Sequence, residues 1–231
     1  MAPIFDCSDN SELLTGMRLA RTSIGRGELV VIPTDTVYGV AADAFQPKAV
    51  QRLLDAKGRG RQSPPPVLIP GIPTLDALAE EVPDEVRTLV DAFWPGGLTI
   101  ILPARASLAW DLGETRGTVA LRMPSNKVAL ELLSEAGPLA TSSANLTGQP
   151  AALTAAQAEA MLGESVPVYL DDGPAGAGYD RGDRDSGSTI VDATGLLAPE
   201  GRLRIVRHGV ISDAELWAAL GMEPPPAEAT A

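Results

Sequence analysis

The residues best suited to chemistry fall where short apolar runs hand over to polar loops. Pro33-Thr34-Asp35-Thr36-Val37-Tyr38-Gly39-Val40 follows the apolar run Leu29 to Ile32 and sets two hydroxyls, a carboxylate and a phenol at a strand end. Ligands of open α/β sheets commonly bind at such ends. The same residues also suit an ordinary turn in which Thr34 and Asp35 satisfy backbone donors. Lys57-Gly58-Arg59-Gly60-Arg61 gathers three cations, spaced by glycines that admit a close ligand, and Pro64, Pro65 and Pro66 stiffen its exit. A lysine point charge beside planar arginine forks suits a polyphosphate; a solvated basic loop after a helix C-terminus is the plain alternative. Arg122 finishes the apolar run Thr118 to Arg122 just before Pro124, a place from which it can grip a small carboxylate or make a surface salt bridge. After another strand-like run, Thr141, Ser142, Ser143 and Thr147 supply hydroxyls and Asn145 an amide, a grouping that with exposed backbone N–H groups can bind an anion.

Several chemistries are excluded by count or pattern. Cys7 is the only cysteine and His208 the only histidine, so there is no internal disulfide, no cysteine-rich metal site and no paired-histidine zinc motif. With that lone histidine and no G-x-S-x-G elbow, Ser142 and Ser143 do not read as acyl-transfer nucleophiles. The Walker pattern and the dinucleotide fingerprint are both missing, and the aspartates at 171, 172, 180, 183 and 185 do not have calcium-loop spacing. Thirty acidic against eighteen basic residues give a net charge of −12, which disfavours tight, non-specific RNA binding by this chain alone. The N-terminus lacks a basic stretch followed by an apolar run, and no segment approaches the roughly 20 apolar residues of a membrane span, so a cytoplasmic protein is expected.

The elements that must position these residues alternate. Apolar spacing predicts helices over Ser11 to Ile24, Pro47 to Lys57, Pro83 to Phe93, Lys127 to Ser134 and, capped by Thr154, through Leu162. Strands are expected at 29–32, 67–69, 98–102, 118–122, 139–142, 166–170, 188–191 and 203–206. With 231 residues, 45% apolar, and no dividing linker, this order implies one α/β domain: an open, twisted, mixed sheet with flanking helices over residues 1–212. Residues 213–231 read as a short helix capped by Ser212 and a disordered tail. The segment from Asp171 to Gly187 is rich in glycine and aspartate, offers almost nothing apolar to bury, and reads as a mobile loop and candidate lid.

Taken in order, these segments resemble the YrdC-like family, the L-threonylcarbamoyladenylate synthases. The resemblance runs from about Gly27 to about Gly209. It is carried by residues 33–39, Lys57-x-Arg59, Phe93-Trp94-Pro95-Gly96-Gly97-Leu98-Thr99, Val119 to Pro124, Ser143-Ala144-Asn145-Leu146-Thr147-Gly148, Ser188 to Asp192 and Arg207-His208-Gly209. It implies a basic concave cavity in an α/β fold. It also implies a nucleotide site at Lys57, Arg59, Ser143, Asn145 and Arg207, with Arg61 beside them and Lys57 and Arg59 neutralising the phosphates during catalysis. Thr34, Arg122 and Ser188, with Thr141, would hold threonine. The implied substrates are L-threonine, bicarbonate and ATP, with Mg2+ bridging the phosphates and no dedicated protein metal ligand, and the product would pass to a tRNA threonylcarbamoyl-transfer complex.

This chain departs from the family pattern in places. No histidine follows the Lys57-x-Arg59 segment where many relatives have one against threonine, Ala151 stands where a serine often touches the nucleotide, and His208 replaces a proline. The resemblance is to the short, single-domain form of the family. The resemblance implies two rival readings: a carbamoyl-transfer enzyme, since related domains occur in much larger enzymes of that kind, and a non-catalytic RNA-binding module, which the net charge of −12 and the retained Lys57, Arg59, Ser143 and Asn145 speak against.

Overall fold

The computed structural model describes residues 2–180, 182, 184–198 and 201–223. In chain order the elements are β1 (Ile4–Asp6), α1 (Asn10–Gly25), β2 (Val30–Ile32), β3 (Gly39–Asp43), α2 (Pro47–Lys57), β4 (Val67–Leu68), α3 (Ile72–Leu78), α4 (Asp84–Phe93), β5 (Leu98–Pro103), β6 (Thr118–Arg122), α5 (Lys127–Ala136), β7 (Leu139–Ser143), α6 (Ala155–Leu162), β8 (Val168–Asp171), β9 (Thr189–Asp192), β10 (Arg204–Arg207) and α7 (Asp213–Ala219). The strands join into one sheet in the order β1-β8-β2-β3-β7-β4-β6-β5-β9-β10. It is mixed, as the short connections require. For example, β2 runs parallel to β8 but antiparallel to β3, and β5 runs parallel to β9 but antiparallel to β6.

Local chemistry sets the helix ends. Asp9 caps α1 by accepting from the N–H groups of Ser11 and Glu12. Pro47 occupies the first turn of α2, where its missing N–H costs nothing, and Gly58 stops that helix in the left-handed region at φ 62°. Thr154 caps α6, and Ser212 forms a reciprocal capping box with Glu215 at the start of α7. Three apolar clusters fill the faces of the sheet. One joins α3, α4 and α7 to β5 and β6 through residues such as Leu75, Leu89, Ile100, Leu121 and Trp217. The other two lie under α1 with α5 and under α2 with α6. Among the described residues, no helix is long and apolar enough to cross a membrane.

Three elements were not expected from the sequence. The edge strand β1 is largely exposed and carries no alternation of apolar residues. α3 is a single short helix with Pro73 in its first turn. β3 is built of Gly39, Val40, Ala41, Ala42 and Asp43, mostly poor strand formers, yet it lies in mid-sheet between β2 and β7, where pairing on both sides outweighs propensity. The terminal helix set apart from the 1–212 domain buries Leu216 and Trp217 in the first cluster, so it is packed with that domain. Of the expected tail, residues 224–231 lie outside the described residues, as do Arg181 and Asp183 of the 171–187 loop. That loop does have an apolar anchor: Tyr179 packs against the first cluster. It is tied further by Ala175 N–H to Leu153 O at 2.9 Å and by the Tyr38 hydroxyl, 2.7 Å from Gly173 O.

The chain crosses itself tightly where β10 leaves the sheet. A Cβ added to Gly209 would lie 2.4 Å from Gly187 O and 2.4 Å from Ser188 C, both backbone atoms. Gly209→Ala is therefore expected to destabilise the protein by about 1–3 kcal/mol, read as a lower urea midpoint at unchanged slope.

Candidate active site

The ends of β2, β6 and β7, the C-terminal end of α2 and the neighbourhood of β9 and β10 surround one cavity of about 810 Å³. That size is ordinary for a small-molecule site. Among the described residues, three guanidiniums line it, those of Arg59, Arg122 and Arg207, against one carboxylate, Asp185. An acidic protein thus has a cationic cavity. Burial works against the charge of Arg207, and Arg122 and Arg59 add repulsion while Asp185 partly offsets it. An arginine does not release its proton under such pressure, so the favourable response is an anion in the cavity.

Each guanidinium is aimed by its own partners. Arg122, buried at the end of β6, donates from Nε to Gly96 O at 2.9 Å and from Nη1 to Thr36 Oγ1 at 3.0 Å, and its Nη2 lies 2.8 Å from Asp35 Oδ2. Burial would raise the Asp35 carboxyl, but Arg122, the Ser125 N–H and the Tyr179 hydroxyl outweigh it and hold the group below the usual carboxylate range. Arg59 leaves the left-handed cap at Gly58 and donates from Nη1 to Ser142 Oγ at 3.0 Å. Arg207 donates from Nε to Ser188 O at 2.8 Å and from Nη2 to Ser188 Oγ at 2.9 Å, and Ser188 Oγ is 2.7 Å from Thr99 Oγ1.

Of the residues expected from the sequence, Thr34, Arg59, Arg122, Thr141, Ser143, Asn145, Ser188 and Arg207 line this one cavity. Thr34 is both turn and wall: its hydroxyl donates to Val37 O at 2.5 Å, which fixes the bend leading into β3. Asn145 donates to Leu146 O at 2.9 Å and Gln149 O at 2.6 Å, shaping the loop after β7.

Two of the expected residues do not line the cavity. Lys57 is not on the wall. Its ammonium is buried and donates to Ser143 O and, at 2.6 Å, to Asn145 O, so its charge is spent on backbone carbonyls and it fastens the end of α2 to the loop after β7. Arg61 is outside the cavity, half-exposed and paired with Asp111 at 2.6 Å. His208 also points away, exposed and 2.8 Å from Asp213.

Asp35, Thr36 and Ser142 lie in the candidate segments but carry no assigned partner in the sequence reading, and Thr99 and Tyr179 carry no site role there. The first three were visible as polar residues beside the chosen ones, but nothing local shows that they hold arginines distant in the chain. Among the described residues, no group of three or more His, Cys, Asp or Glu side chains can hold a metal ion. Among the described residues, Asp185 is the only carboxylate lining the cavity.

The Sua5/YciO/YrdC family model, described as telomere recombination, matches residues 22–209. The chain belongs to the Sua5/YciO/YrdC family. A Mycobacterium tuberculosis member of this family, provisionally named threonylcarbamoyl-AMP synthase, is 46% identical over 223 residues, which are 96% of this chain and 97% of that protein. A crystal structure of P. abyssi Sua5 complexed with L-threonine superposes with a TM-score of 0.82 at 30% identity, covering 96% of this chain and 61% of that one. E. coli YciO shares the fold, with a TM-score of 0.75 at 21% identity over 94% of this chain and 99% of that one.

In this member of the family, the buried Lys57 makes stability depend on pH. Burial and the neighbouring Arg59 bring its ammonium from 10.5 down to about 8. Between those values the unfolded chain holds the proton that the folded chain has released, so folding becomes more favourable as pH rises. The stability of the wild type measured against Lys57→Met should therefore increase from about pH 7 to about pH 10 in urea titrations, whereas a lysine of ordinary pKa would leave that difference constant over this range.

Proposed function

We propose that the chain is a threonylcarbamoyl-AMP synthase, an enzyme that joins L-threonine, bicarbonate or CO2 and ATP into threonylcarbamoyl-adenylate and releases pyrophosphate. The observation that carries this reading is the single cavity with three separately held guanidiniums, in a chain that aligns with a synthase-named relative over nearly its whole length. The reaction needs that charge. The threonine amine takes up CO2 to give N-carboxy-threonine; an oxygen of the new carboxylate then attacks the α-phosphorus while the bond to the β-phosphate oxygen breaks. Two anions must approach each other and a polyanion must depart. The protein's task is to orient and neutralise, with no covalent help from a side chain.

In this reading Arg122, with Thr34, Thr141 and Ser188, takes the threonine end, and Arg122 holds its carboxylate. Arg59 and Arg207 face the phosphates, and Ser143 with Asn145 shapes the nucleotide wall. Lys57 acts at one remove by fixing the loop that carries Ser143 and Asn145. The expected cytoplasmic location suits an enzyme that spends ATP, and the adenylate would be handed to a separate complex that modifies tRNA. The net charge of −12 favours delivery of a small product over tight tRNA binding by this chain.

Purified protein incubated with ATP should yield a product of threonylcarbamoyl-adenylate mass only when both threonine and bicarbonate are supplied. Pyrophosphate release without either one, or none at all from protein that binds ATP, would overturn the reading. Arg122→Ala should raise the threonine KM by about tenfold or more with the ATP KM little changed. Arg59→Ala should lower turnover at least tenfold, a barrier change of about 1.4 kcal/mol.

A further inference from the structure

Asp35 links the cavity wall to the glycine-rich loop. One of its oxygens, Oδ2, lies 2.8 Å from Arg122 Nη2 and accepts from the Tyr179 hydroxyl at 2.9 Å; the other, Oδ1, accepts from Ser125 N–H at 2.9 Å. The pair is buried, with side-chain exposures of 7% for Arg122 and 9% for Asp35. Nη2 is buried and has no aligned hydrogen bond despite its closeness to Asp35, so the pair is held by charge.

The loop reaches this pair through two glycines of the segment before β5. A Cβ on Gly97 would lie 3.0 Å from the Tyr179 hydroxyl oxygen and one on Gly96 3.3 Å from it, so only a backbone bare of side chains lets the ring settle there. Gly96 also supplies the carbonyl that takes the Nε–H of Arg122. Gly176 of the same loop presses close to Thr36 O, where an added Cβ would be at 2.9 Å, and Thr36 Oγ1 receives Nη1 of Arg122. The loop therefore touches, through two different residues, the groups that orient Arg122.

We infer that Tyr179 is a positioning residue for the amino-acid substrate: its hydroxyl fixes Asp35, Asp35 fixes Arg122, and Arg122 holds the substrate carboxylate. The inference rests on the synthase reading for the identity of that substrate. Without the hydroxyl, one lone pair of Asp35 is left unsatisfied in a buried place, and the carboxylate is free to turn and pull the guanidinium with it. The ring accounts for packing and the hydroxyl for aim. Tyr179→Phe separates the two.

The test is calorimetric titration of L-threonine, and separately of ATP, into the whole protein and its variants. Tyr179→Phe should weaken threonine about fivefold and leave ATP within about twofold. In an Asp35→Asn background the same loss of the hydroxyl should cost less than about twofold, because the relay is already broken. A Tyr179→Phe protein that binds threonine as the wild type does, or that loses threonine and ATP alike, would overturn the inference even if Asp35→Asn failed to fold. A wild type that binds ATP and no threonine would instead remove the synthase reading, and the relay with it.

Discussion

Three arginines share one cavity in a protein whose net charge is −12, and the rest of the structure is arranged around keeping them there. Like charges repel, and burial takes away the water that would screen them. The ordinary remedy is a carboxylate beside each, but that would cancel the attraction for a substrate anion. Here the guanidiniums are held mostly by neutral acceptors: Gly96 O and Thr36 Oγ1 for Arg122, Ser142 Oγ for Arg59, and Ser188 O and Oγ for Arg207. Among the described residues, Asp35 is the one carboxylate paired with any of them, and its remaining capacity is taken by Ser125 and Tyr179. A buried ion pair of this kind gives little net stability, because desolvation offsets most of the attraction; what it supplies is orientation.

Orientation in turn depends on strand ends converging from distant parts of the chain. Register brings Gly39 of β3 opposite Ser143 of β7, and Leu68 of β4 opposite Arg122 of β6. The absence of a side chain at Gly39 matters, since a Cβ there would come within 2.7 Å of Thr141 Cγ2. Lys57 then binds the end of α2 to the carbonyls of Ser143 and Asn145, so the helix that delivers Arg59 is fastened to the loop after β7. Positioning of this accuracy is what a reaction between two anions requires.

Much of this was legible in the sequence because it is local. The strand Thr118–Arg122 and the helix capped by Thr154 follow directly from apolar spacing and a capping residue. Strand-end polar residues such as Thr34, Arg122 and Ser188 announce themselves by contrast with the apolar runs beside them. What was not legible depends on contacts between segments far apart. Gly39–Asp43 has no pattern of its own and becomes a strand because both neighbours pair with it. Lys57 and Arg61 look alike as cations beside Arg59, and only packing turns one toward buried carbonyls and the other toward Asp111. Tyr179 is a lone aromatic in a stretch of glycine and aspartate, and its partner Asp35 is 144 residues away.

The most direct single measurement is a crystal structure of the protein with L-threonine and a non-hydrolysable ATP analogue bound together. Both ligands should occupy the one cavity, the threonine carboxylate on Arg122 and the phosphates beside Arg59 and Arg207, with the threonine amine facing the α-phosphate across room for one carboxylate. A nucleotide bound elsewhere, or phosphates held by Arg122 with threonine excluded, would contradict the division of the three arginines on which the proposed reaction depends.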